Sequence, residues 1–390
     1  MLKLAFLSLF RRPLRQLLLF LLILVTAAVP VYILQVTGGL YAGINRAVEP
    51  FPILAGARGS AYQLVLNTVF LRDRPVGNIS YEEMKKLEDG GKTQAVYPLG
   101  FGDNYRGFRI AGTDAALFDY RPKKNQGPWL AMGEGRVFQN DGEAVIGSET
   151  ARLTGLKVGD TFKSVHGTSA KGHAHEHPFK VAGILSPVGG PYDTAIFIDM
   201  KDVWEEHGEK EEAKREVTAL LVVPKGYKEA MELLASYQKN KEVQMVFPSQ
   251  SIISLYAMVG QTKGFWQALV ISLLAMSLII TLLVMYWCGL SRLPELALLE
   301  ALGAGKGKIR SLLLLEEGML LFLGSLAGWC AAYGGSLLTA RAIANTAAIT
   351  MVTAPDWRGL LIIPVITICG MVAGLIPAAL LGRKDVSQYL

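Results

Sequence analysis

The stretch Gln16–Val36, QLLLFLLILVTAAVPVYILQV, carries no Asp, Glu, Lys or Arg. A helix needs ~20 apolar residues to cross a ~30 Å hydrocarbon core, and this run is long enough. Three further uncharged stretches lie at the other end of the chain: Phe265–Leu290, Gly318–Ala340 and Gly359–Gly382. Between the first and second run lie more than two hundred residues of ordinary soluble composition. The expected fold is a membrane protein with four transmembrane α-helices, arranged one plus three. A large α+β extracytoplasmic domain is inserted between helices 1 and 2. Such a layout holds a folded domain on one side of a bilayer by its two ends. It suits the passage of force or signals better than the building of a pore.

Charge sets the orientation. Basic residues crowd the ends of the spans: Lys3, Arg11, Arg12 and Arg15; Arg292, Lys306, Lys308 and Arg310; Arg383 and Lys384. The loop between the third and fourth spans has only Arg341 and Arg358. The positive-inside rule then puts both termini and the 291–310 loop in the cytoplasm. The net charge of +6 is thereby spent beside the membrane and gives no nucleic-acid signal. The hydrophobic fraction of 51% is high for a soluble protein but low for a polytopic carrier, because the middle segment dilutes it. The first run is longer than a signal-peptide core of ~7–15 residues and ends in no small-x-small cleavage site, so a retained helix is expected. The three cysteines, Cys288, Cys330 and Cys369, all fall in spans, which leaves the external domain without disulfides.

The resulting segmentation is as follows. Residues 1–15 form a cytoplasmic segment whose first ten residues have an amphipathic face, and 16–37 the first span. Residues 38–263 form the external domain, 264–290 the second span and 291–310 a cytoplasmic loop and helix. Residues 311–340 form the third span, 341–357 a short external loop, 358–382 the fourth span and 383–390 a cytoplasmic tail. Within the external domain, strands are expected at Tyr62–Phe70, Ala95–Leu99, Gly107–Ala111, Glu143–Gly147, Thr161–Val165, Phe179–Leu185, Thr194–Asp199, Val217–Val223 and Val243–Phe247. Helices are expected at Ser80–Glu88, where Ser80 and Glu83 have capping-box spacing, at Ser148–Thr154 and at Tyr227–Gln238. The strand-rich part, about 128–212, reads as one subdomain inserted in another.

The loop between spans two and three runs SRLPELALLEALGAGK over Ser291–Lys306. Pro294 suits a first helical turn, Glu295 complements the positive end of the helix dipole, and Gly303 can end the helix in a left-handed cap. Leu296, Leu299 and Leu302 recur at i, i+3 and i+6 and give one apolar stripe. On these residues alone, the helix either turns the chain around or docks a partner. Gly303–Lys308 resembles a phosphate loop only superficially: Leu302 stands at the first glycine position and Ile309 follows Lys308.

The pattern from Arg292 to Ala304, R-x-x-E-x-A-L-L-E-A-L-G-A, followed by basic residues and Ile309, resembles the signature of FtsX/MacB-type permeases of ABC transporters. Ile376-Pro377-Ala378 with a final Leu390 is similar to that family's ending. EAVIGSETARLTGLKVGD at Glu143–Asp160 and FKVAGIL at Phe179–Leu185 resemble its external domain. The resemblance covers nearly the whole chain, and the one-plus-three layout agrees with it. It implies a non-enzymatic permease subunit in a bacterial cytoplasmic (inner) membrane, coupled to a separate cytoplasmic ABC ATPase that binds the ATP. The family's coupling role falls here on Glu295, Leu296, Leu299, Glu300, Leu302 and Gly303. It also implies mechanotransmission to the external domain, for export or extraction of a lipoprotein, peptide or small molecule, or for activation of a periplasmic partner. A second permease copy or a sister permease completes a dimer. Membrane lipid and a periplasmic or outer-membrane protein are further expected partners.

Four histidines, His166, His173, His175 and His177, fall in one short Gly-containing stretch. Three of them alternate, so an extended chain points their imidazoles to one side. Imidazoles suit Zn²⁺, Cu²⁺ or Ni²⁺. The stretch is either a metal-binding loop, with zinc as cofactor, or a solvated loop between strands. A metal-binding or metal-sensing anchored protein is the alternative function. His207, in an acidic stretch, reads as a surface residue. Glu316 and Glu317 lie at the cytoplasmic start of the third span. Gly324/Gly328 and Gly370/Gly374 have the spacing of close helix packing, within one protomer or across a dimer.

Overall fold

The computed structural model describes residues 13–167, 174–208, 211, 214–258, 261–346, 351–354 and 357–381. The amphipathic segment at residues 1–10, the tail 383–390 and His173 lie outside them. The chain divides into two compact units. One contains the residues up to Leu40, Gln261–Ala342 and those from Val352 on; the other contains Tyr41–Gly260 and Ile343–Met351.

In chain order the helices are α1 (Pro13–Val48), α2 (Ala61–Thr68), α3 (Glu82–Asp89), α4 (Ser148–Thr154), α5 (Met200–Glu206), α6 (Tyr227–Tyr237), α7 (Pro248–Met258), α8 (Gln261–Leu290), α9 (Leu293–Ala301), α10 (Lys306–Thr346), α11 (Trp357–Leu360) and α12 (Ile362–Leu381). Among the described residues, three helical stretches are long and apolar enough to cross a membrane: Pro13–Val48, Ala268–Leu290 and Gly307–Ile343. The fourth expected span falls on α11 and α12, whose described apolar stretch, Ile362–Ile376, is shorter.

The first unit has its own apolar centre. Ile23 and Ala27 of α1, Met285 of α8, Leu320 and Leu321 of α10, and Ile366 and Ala373 of α12 are buried together. Leu17, Leu18, Ile271, Leu283 and Trp287 remain exposed, an outward apolar surface suited to lipid. Polar contacts also tie the helices. Ser277 Oγ donates to the Thr26 carbonyl at 2.7 Å, and the Tyr32 and Thr339 hydroxyls lie 2.7 Å apart. With no hydrophobic drive between helices in lipid, such bonds and small residues hold the bundle.

The second unit is built on strands β1 (Ile53–Ala57), β2 (Ile79–Ser80), β3 (Thr93–Tyr105), β4 (Phe108–Thr113), β5 (Met132–Gly135), β6 (Glu143–Ile146), β7 (Thr161–His166), β8 (Ala174–Leu185), β9 (Ile196–Asp199), β10 (Glu216–Val217), β11 (Ala219–Pro224) and β12 (Val243–Val246). The main sheet runs β12-β1-β11-β3-β4-β9-β6-β8-β5, with β7 pairing both β3 and β8. Strand β3 is shared. Thr93–Leu99 pair with β11, whereas Gly100–Tyr105 pair with β4. Because β7 bridges β8 and β3, the strands β3, β4, β9, β6, β8 and β7 pair in a closed ring. Closure removes free edges. Ile110, Ala144, Ile146, Phe162, Phe179, Val181, Ile196 and Ile198, all on strands of the ring, form one buried cluster. The β3–β7 seam is short: among the described residues, Asp103↔His166 and Asn104↔Val165 pair across it.

Some expected elements differ. Val217–Val223, read as one strand, divides into β10, paired with β2, and β11, paired with β1 and β3. Tyr62–Phe70, read as a strand, is the helix α2. Ser60 caps it by accepting the Gln63 N–H, and Leu64, Val65, Asn67 and Thr68 bury at helical spacing. The cap and the buried face override the β-propensity of Val65 and Tyr62. The Ser80/Glu83 capping box does not form. Ser80 sits in β2, paired with Glu216, and α3 starts two residues later. The Glu83 carboxylate instead holds Lys86 at 2.6 Å and accepts from the Tyr237 hydroxyl at 2.9 Å.

Burial sets one pH dependence in this unit. Asp202 on α5 is 6% exposed, and its Oδ2 accepts the Gly142 N–H at 3.1 Å. Burial above all, and then Asp199, Asp141 and Glu205, pushes its carboxyl from 3.8 up to about 6. The folded chain therefore holds that proton more tightly than the unfolded chain. Stability falls as pH rises through this window and stays lower above it. Asp202→Asn, which keeps the acceptor for Gly142, is expected to stabilise the protein at pH 7 by on the order of 1 kcal/mol after solvent screening. The gain should vanish near pH 4 in paired thermal melts; an equal gain at both pH values would rule out the titration as its source.

Candidate functional site

The loop between α8 and α10 is where sequence reasoning places function. Pro294 stands in the first turn of α9, where its missing N–H costs nothing, and Glu295 stands beside it. The helix ends abruptly. Gly303 has φ +91°, its N–H donates to the Glu300 carbonyl at 2.9 Å, and the Ala304 N–H donates to the Leu299 carbonyl at 3.0 Å. This is a Schellman motif, with glycine at the one position that needs left-handed backbone.

The short helix has two faces. Leu293 and Ala297 are buried with Ile309 and Leu313 of α10, and Leu290 and Ala304 pack around them. Leu298, Leu299 and Leu302 point away, at 53%, 38% and 77% exposure. Glu295 is exposed and Glu300 half-buried; the side chain of Leu296 lies outside the described residues. The stripe expected at Leu296, Leu299 and Leu302 therefore has Leu298 beside it, a residue that the i, i+3 count passes over.

One ion pair anchors the start of α9 and a polar contact lies just before it; neither was read from sequence. The Arg292 guanidinium donates to both carboxylate oxygens of Glu316, at 2.8 and 2.6 Å, with both side chains largely buried. This bidentate fork fixes direction as well as distance. From α1, Arg15 donates to Ser291 Oγ at 2.6 Å and reaches the Cys288 thiol at 2.9 Å. The only available signal was opposite charge beside two apolar runs, which does not name partners.

The glycines pack against their own chain. Side chains added at Gly324 and Gly328 would meet Ile23 and the Leu24 carbonyl of α1. At Gly370 and Gly374 they would meet Leu321 and the buried carboxylate of Glu317 on α10. Of the four histidines, two have described side chains. His166 ends β7 with Nδ1 3.1 Å from Asp103 Oδ1, while His177 on β8 is exposed. The side chain of His175, like the whole of His173, lies outside the described residues. His207, read as a surface residue, sits at the end of α5 with its ring 5.4 Å from that of His166.

Residues 31–236 match the family described as a MacB-like periplasmic core domain, and residues 267–386 match the FtsX-like permease C-terminal family. No curated protein matches. Among solved structures, the chain is similar to the extracellular domain of the noncanonic ABC-type transporter YknZ from Gram-positive bacteria. Identity is 14%, over 50% of this chain and 98% of that one, with a TM-score of 0.32.

Proposed function

Because the chain belongs to the FtsX/MacB-type family of ABC transporter permeases, we propose that it transmits the conformational cycle of a separate cytoplasmic ATPase to its extracytoplasmic domain. The supporting observation is the geometry of α9. A helix that merely turned the chain would have no need of a fixed end and a fixed direction. Here Gly303 stops it, Arg292 and Glu316 lock its start, and three leucines stand outward. A partner pressing on that face would move α10 through the buried Leu293–Leu313 cluster.

In this reading the spans number four in a one-plus-three order, with both termini and α9 cytoplasmic in a bacterial inner membrane. Helix α1 extends from Pro13 to Val48, with Pro30 inside it, and Ala47 and Val48 belong to the core of the external unit. The protein works as a dimer, with a second copy or a sister permease. It hydrolyses no ATP itself, and the cargo is a lipoprotein, peptide, small molecule or periplasmic partner. The metal-sensor alternative gains nothing from the family matches.

Affinity purification of the full chain from its native membrane should recover an ABC-type ATPase whose turnover rises when the permease is present. Recovery without such an ATPase, under conditions that retain the permease in its membrane, would overturn the coupling role.

A further inference from the structure

We infer that Asp103, His166 and His207 form a binding site for a divalent metal ion of the zinc class, which clips the seam where the strand ring closes. The three come from three elements: Asp103 from β3, His166 from the end of β7 and His207 from the end of α5. One ligand atom from each lies within 4.8 Å of the other two. Zinc ligands with bonds of ~2.1 Å stand roughly 3.4 Å apart in a tetrahedron, so small rotamer shifts bring these atoms onto one ion.

The orientation of His207 suits a metal ligand. The Val203 carbonyl, 2.8 Å from His207 Nδ1, can only accept, so Nδ1 carries the hydrogen. The other ring nitrogen, Nε2, faces Asp103 Oδ1 across 4.0 Å. An imidazole whose far nitrogen donates to a backbone carbonyl is the usual oriented metal ligand. Two imidazoles and a carboxylate, with water completing the sphere, match zinc-class chemistry rather than magnesium or calcium.

Burial divides the labour. Asp103 is 3% exposed, with His166 Nδ1 3.1 Å from its Oδ1. The side chains of His166 and His207 are 58% and 27% exposed, which leaves an entry path. The base is rigid. The buried Asn104 donates to the Gly167 carbonyl at 2.7 Å and to the Val165 carbonyl at 3.2 Å, and Gly167 N–H donates to the Gly102 carbonyl at 2.8 Å. Ser164, on the same face of β7 as His166, donates to Glu206 at 3.3 Å and keeps the end of α5 over the strand. An ion here spans the two-residue β3–β7 ladder and ties it to α5. Its role is structural, within the permease.

The test uses the full chain in detergent, stripped with a chelator, with Zn²⁺ alone as the probe. Calorimetry should show one site of micromolar or tighter affinity, and melting should shift upward with zinc. Asp103→Asn and His207→Gln should each weaken that site by at least about tenfold and abolish the shift. A variant with His173, His175 and His177 all changed to alanine should keep both. If Asp103→Asn fails to fold, His207→Gln at the helix end carries the comparison. Absence of saturable zinc binding, survival of the site in His207→Gln, or its loss in the triple-alanine variant would each overturn the assignment.

Discussion

Leu302→Asp and Leu299→Asp are expected to abolish stimulation of the partner ATPase while leaving the permease folded. Both side chains lie on the outward face of α9, Leu302 at 77% exposure and Leu299 at 38%. A polar substitution on such a surface changes stability by about 0.5 kcal/mol or less. At a docked interface the same carboxylate is buried without a partner, at a cost of several kcal/mol. A loss of ~3 kcal/mol is already more than a hundredfold in affinity. Leu293→Asp is the internal contrast. Leu293 is buried against Ile309 and Leu313, so its variant should lose thermal stability first and coupling only in consequence. The readouts are the melting temperature of the purified permease and the ATPase rate of the reconstituted complex. Full co-purification and full stimulation by Leu302→Asp would remove the docking role from this face.

The sequence was legible where one local rule decides a residue's place. Gly303 is such a case, because a left-handed backbone position after an apolar helix tolerates little else. The strands at Ile196–Asp199 and Ala219–Pro224 are others, being short, apolar and largely buried. The helix α2 was not legible, because Val65 and Tyr62 suit a strand and only the Ser60 cap and tertiary burial decide otherwise. The seam at Asp103 was invisible for a different reason. His207 lies more than one hundred residues from Asp103, and only the closing of the strand ring brings them together. The His166–His177 run drew attention by spacing, yet His166 finds its described partners elsewhere, on β3 and α5. Composition finds residue types, and topology chooses their neighbours.

The same limit hid the Arg292–Glu316 fork, and its removal yields a sharper test of transmission than any surface change. Glu316→Ala leaves a guanidinium largely buried without its carboxylate, and one-sided removal from a buried pair costs ~3–5 kcal/mol. A melting temperature lowered by several degrees is the expected result, with coupling lost as well. An apolar double replacement, Arg292→Met with Glu316→Leu, separates the two effects. Buried ion pairs exchanged for packed apolar groups are often neutral or stabilising, so this variant should regain most of its melting temperature. It should not regain ATPase stimulation, because two methyl-bearing chains lack the bidentate geometry that fixes the direction of α9 on α10. A double variant that is stable but silent assigns the fork to transmission. One that is stable and fully coupled would reduce it to a replaceable stability element and leave the direction of α9 to the Leu293–Leu313 cluster alone.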